Sequence, residues 1–83
     1  MSLRDVFLSQ VRDRLYATLK GTILRDWRPE IVANLANETM EEKMYEINSY
    51  IQNNVITLQN MTDHAQRIVD NILVPYVYHK RVE

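Results

Sequence analysis

The chain has 83 residues, of which 46% are hydrophobic and 25% charged, and a formal net charge of −1. That size makes one domain spanning residues 1–83, with a core too small to be strongly stable alone. The absence of cysteine excludes disulfide staples, zinc–thiolate sites and thiol nucleophiles, and weakly favours the cytosol. No apolar run approaches the ~20 residues a membrane-spanning helix needs, and the charged first residues lack the apolar core of a signal peptide. The expectation is a cytoplasmic protein with no membrane partner.

One glycine and two prolines, Gly21, Pro29 and Pro75, are all the chain offers of the residues that turns and phosphate loops require. It therefore reads as all-α. Ser2 with Asp5 resembles a capping box, opening helix 1 over about 3–26. Leu8, Val11, Leu15, Leu19 and Ile23 form its main apolar face, and Val6, Ala17 and Leu24 form a thinner one opposite. Arg28-Pro29 breaks that helix, because proline excludes α geometry from the residue before it and suits the first turn of the next. A short helix over 29–36 follows, with Trp27, Ile31, Val32 and Leu35 placed to close one end of the core.

Thr39-Met40-Glu41-Glu42 is a second capping-box pattern. Beyond it Met40, Met44, Ile47, Ile51, Val55, Leu58, Met61, Ala65, Ile68, Val69, Ile72 and Leu73 keep to one stripe at ~100° per residue. The unbroken phase predicts one long helix over about 39–74, despite the poor helix formers Asn53-Asn54-Val55-Ile56-Thr57. A break near 53–61 is the main alternative, and Pro75 ends the helix. Residues 75–83 read as an extended tail. The fold expected is an antiparallel helical hairpin with a short connecting helix. Helix 1 is too short to cover the long helix, so Ala65, Ile68, Val69, Ile72 and Leu73 would overhang. Two copies would pair there into an oligomeric helical bundle, a homodimer, with Asn54 as the polar seam residue that sets register.

Charge is unevenly spread: +3 over residues 1–28, −5 over 29–63 and +1 over 64–83. Opposite charge on the first two thirds favours their packing together, and a net charge near zero disfavours strong phosphate binding. Glu38-x-x-Glu41 resembles the first half of the carboxylate motif of all-α nucleotide pyrophosphohydrolases. The second half is missing, with Asp63 and Asp70 standing alone, so the resemblance is not carried over. His64 reads as a surface histidine without the nucleophile or oriented partner that general-base chemistry needs. No catalytic residue, cofactor or metal site is expected.

The functional expectation is a small non-enzymatic protein-interaction, structural or adaptor subunit acting as a homo-oligomer, an accessory or inhibitor protein of a bacterium or its virus. Met40, Met44 and Met61 read first as ordinary core filling, and otherwise as an adaptable binding groove. Tyr45 and Ile56, on the otherwise polar back of the long helix with Tyr50 nearby, mark a candidate surface for an unidentified protein partner. In the tail, docking of Tyr76 and Tyr78 on the helical body is the first expectation; with Lys80 and Arg81 they also join the candidate partner surface, since aromatics stack on bases and cations follow phosphates. An alternative is accordingly a nucleic-acid-binding module using helix 1 and the tail. A metal-dependent all-α hydrolase comes third.

Overall fold

In the computed structural model, which describes residues 2–82 and side chains as far as Lys80, every regular element is helical. Helix α1 is Leu3–Gly21, α2 is Pro29–Glu42 and α3 is Met44–Asn53. Helix α4 is Met61–Ile68; it runs through a π-helical turn, Val69–Leu73, into α5, Val74–Val82. Helix α1 packs against both α2 and α4.

Ser2 caps α1 as its position predicts, its hydroxyl accepting from the Asp5 amide at 3.1 Å. The buried spine of the helix is Phe7, Val11, Leu15 and Leu19, one residue every fourth position. Leu8 and Ile23 are only half-buried, and Phe7 takes the inward position that the sequence reading assigned to Leu8. The helix ends at Gly21 and not near 26. Lys20 closes the turn that follows, its ammonium donating to the carbonyls of Arg25 at 2.9 Å and Trp27 at 2.5 Å. Leaving the helix brings Leu24 inward, fully buried, although by helical phase it belonged to the opposite face.

Pro29 starts α2, as expected, but the helix runs on to Glu42. Thr39, read as the cap of the next helix, is instead buried inside the last turn of α2 at 2% exposure. No glycine or proline lies between Pro29 and Pro75 to stop the helix earlier. The real boundary is a kink at Lys43, where φ −103° and ψ 14° leave α geometry. The hydrogen-bond ladder continues across it, from Lys43 N–H to Thr39 and from Ile47 N–H to Lys43.

The expected long helix over 39–74 is not formed: residues 54–60 interrupt it. A helix from 39 to 74 would be roughly 52 Å long, whereas the longest dimension of the molecule is 35 Å. Asn54 turns to extended geometry (φ −135°, ψ 146°) and its side-chain amide donates to the Tyr50 carbonyl at 2.8 Å, satisfying one orphan acceptor at the end of α3. Asn60 then fastens the loop. Its side-chain oxygen accepts from Thr57 N–H at 2.7 Å and its amide donates to the Val55 carbonyl at 2.9 Å. The Thr57 hydroxyl returns a bond, accepting from Asn60 N–H at 3.2 Å. Side chains that bond their own backbone compete with helix, and here they win.

The chain folds back after the loop. Helix α4 inserts Met61, Ala65 and Ile68 against α1, and the π turn adds Val69 and Leu73. Polar straps flank this seam. Arg14 donates to the Gln66 side-chain oxygen at 2.9 Å, Gln66 donates to Asp70 at 2.9 Å, and the Thr62 hydroxyl pairs with Gln10 at 3.2 Å. Pro75 does not end the helix and residues 75–82 are not extended. A proline has no N–H to give and its ring collides with the carbonyl four residues back. The wider π turn, with Val74 N–H bonded five residues back to Val69, accommodates it, and α5 continues. Val77 enters the core beside Trp27, Leu35 and Thr39.

Candidate interaction surface

The residues expected to meet a second copy lie inside the single chain. Ala65, Ile68, Val69 and Leu73 are wholly buried, and Ile72 is half-buried. The overhang argued from the long helix does not exist, because α4 and the π turn cover their own apolar stripe with α1. Asn54 is likewise no seam residue; it closes the end of α3.

The residues marked for an external partner do not converge. Tyr45 is 81% exposed at the start of α3, whereas Ile56 is half-buried beyond its far end. Tyr50 turns inward, its hydroxyl 2.7 Å from His64 Nδ1 and the two rings edge to face at 5.6 Å. His64 is thus the α4 side of a polar clasp to α3, not a lone surface histidine. Tyr76 and Lys80 both hold Glu42: the phenol donates to one carboxylate oxygen, and Lys80 Nζ lies 3.2 Å from each. Lys43 adds its ammonium over the Tyr76 ring at 4.5 Å. These donors hold the Glu42 carboxyl below its ordinary range, while the carboxylate raises the Tyr76 phenol and the Lys80 ammonium above theirs. The group fastens α5 to the end of α2. Tyr78 is exposed, and the side chain of Arg81 lies outside the described residues.

Five cations of the basic stretch 1–28 also engage within the chain. Arg4 donates to Asn48, Arg14 to Gln66 and Lys20 to two carbonyls, and Arg12 and Arg28 lie near Asp13 and Glu30. Of the acidic cluster, Glu42 is taken up by Tyr76 and Lys80, and Glu46 faces Lys43 at 3.7 Å. The described residues contain no group of three or more His, Asp or Glu arranged to hold a metal ion.

A different surface emerges at the 54–60 loop. Val55 is 81% and Leu58 74% exposed, among the most exposed large apolar side chains described. They stand on a loop that Asn54 and Asn60 hold in place. Beside it runs a groove of about 250 Å³ between the first turns of α1 and the end of α3, lined by Leu3, Arg4, Phe7, Ile51, Asn54 and Ile56. Val55 therefore sits between two residues of the groove wall. Helix α3, which forms one side, is lightly anchored, with Ile47 its one buried residue among those described.

The sequence carries a signal for this surface that hydropathy phase concealed. In a chain one-quarter charged, the sixteen residues from Ile47 to Thr62 contain no Asp, Glu, Lys, Arg or His. Depletion of charge with retention of exposed apolar side chains is the composition of an interface centre. Helical phase places Val55 and Leu58 on the apolar stripe, and the break at 54–60 leaves them in water instead. No protein-family model, no curated protein and no solved structure matches this chain.

Proposed function

We propose that this chain is a small non-enzymatic protein-interaction module whose docking surface is the end formed by the uncharged 54–60 loop and the adjoining α1–α3 groove, where Arg4 is the one charged side chain. The observation that carries the reading is the exposure of Val55 and Leu58 on a loop fastened by its own asparagines. A mobile loop can turn apolar side chains away from water, whereas a fastened one keeps them displayed. Burying a Leu or Val side chain that is otherwise exposed is worth roughly 1.5–3 kcal/mol. A partner that covers both gains that energy without having to order the loop first.

The test compares affinity capture by the wild-type chain and by the Val55→Asp/Leu58→Asp variant, with far-UV circular dichroism showing that both are folded. Proteins retained by the wild type and lost by the variant, further copies of the chain included, support the reading. An identical set retained by both refutes it.

A further inference from the structure

We infer that the partner at this end is a second copy of the chain: two copies pair about a two-fold axis, each seating its Val55–Leu58 loop in the α1–α3 groove of the other. The inference rests on the docking reading above and adds the identity of the occupant.

Three observations favour a like partner. First, the projection and the recess belong to one patch, since Asn54 and Ile56 line the groove and Val55 stands between them. A two-fold axis brings the same patch of both copies together, so each projection meets the other copy's recess. Second, residues near such an axis face their own counterparts, and any charge there meets a like charge. A stretch of sixteen uncharged residues in a chain with 21 acidic and basic side chains meets that condition. A foreign partner imposes no such condition, because it can answer a charge with its opposite. Third, the polar residues around the loop are amides. Gln52, Asn53 and Gln59 are exposed, and each side chain carries both donors and an acceptor. An amide can pair with its own image, which an ammonium or a carboxylate cannot do. Arg4, the one charged side chain on the groove wall, is directed to Asn48 within its own chain.

The contact is small. A stable interface takes about 800 Å² from each partner, and the whole described chain exposes 5436 Å². A patch built on Leu3, Val55 and Leu58 with the half-buried Ile51 and Ile56 offers less than a stable interface takes, so the dimer should dissociate reversibly and its mass should depend on concentration.

Sedimentation equilibrium from micromolar to millimolar concentration tests this on the full chain. The expected result is a monomer–dimer equilibrium that Leu58→Asp weakens about thirty-fold or more, the effect of losing a central anchor. Tyr45→Asp, equally exposed but at the opposite end of α3, leaves it unchanged. Val55→Asp serves as the second variant should Leu58→Asp fail to fold. Because the chain has no cysteine, a Leu3→Cys chain mixed with a Leu58→Cys chain should form a mixed disulfide under mild oxidation, whereas Leu3→Cys mixed with Tyr45→Cys should not. A wild type that stays monomeric throughout, or a dimer that survives both loop variants, overturns the self-pairing. If the wild type is monomeric yet loses captured proteins on Val55→Asp/Leu58→Asp substitution, the docking reading stands and only the occupant is wrong. If capture is also unchanged, both fail.

Discussion

Replacing Asn60 by alanine tests the feature on which the fold turns. Its side chain makes two bonds that hold residues 54–60 out of helix, to Thr57 N–H at 2.7 Å and to the Val55 carbonyl at 2.9 Å. A hydrogen bond of this kind contributes a net ~0.5–1.5 kcal/mol. The residue is half-buried, and water can reach the freed groups in part, so the pair together should be worth about 1–2 kcal/mol. For a domain of this size each kcal/mol moves the melting midpoint by about 4–8 °C. Asn60→Ala should therefore lower the midpoint by roughly 5–15 °C, read by circular dichroism and confirmed by urea denaturation with an unchanged slope. Helical content should stay the same or fall. The opposite outcome refutes the reasoning: an unchanged or raised midpoint with more helical signal would mean that the loop is not held by these bonds and that helix continues through it.

Asn54→Leu should destabilise the chain by about 0.5–1.5 kcal/mol, because the amide closes the end of α3 at Tyr50; a gain in urea midpoint would return Asn54 to an apolar seam. Gly21→Ala should stabilise. The residue is helical, has no positive φ and has nothing within 4 Å of where a Cβ would stand, so about 0.4–1 kcal/mol is expected, seen as a rise of roughly 2–8 °C. The Glu42–Tyr76–Lys80 group should give the wild type a pH dependence that Glu42→Gln flattens. The depressed Glu42 carboxyl contributes stability above the ordinary carboxylate range, lost as pH falls through its lowered value. The raised Tyr76 phenol and Lys80 ammonium contribute below their ordinary values, lost as pH rises through the raised ones. All three groups are open to solvent, so the effect should be small and should shrink in high salt; matching pH profiles for the two proteins would contradict it.

Helical class, the Ser2 cap and the start of α2 at Pro29 were determined by the sequence alone, because each follows from the local chemistry of one or two residues. So was most of the core membership: Val11, Leu15, Leu19, Val32, Ile47, Ala65, Ile68 and Leu73 all read as apolar face positions and all are buried. Which surface these positions meet was decided only in three dimensions. The interruption at 54–60 is seven residues long, almost two helical turns of 3.6 residues. It therefore returns the apolar stripe nearly to its starting phase, and periodicity cannot tell a continuous helix from one that stops and resumes. Val55 and Leu58, which that phase placed inside, stand in water, while Ala65 and Ile68, which it left uncovered, lie under α1. What favours the broken form is partly local, in the asparagine bonds, and partly the burial of Met61, Ala65, Ile68, Val69 and Leu73 against a helix some fifty residues earlier in the chain. The π turn that carries the chain past Pro75 has the same origin. Proline disfavours continuation locally, and the burial of Val77 with the clasp from Tyr76 and Lys80 to Glu42 draws the helix on. Contacts between residues so far apart in sequence enter no local window, and they outweigh the preferences that do.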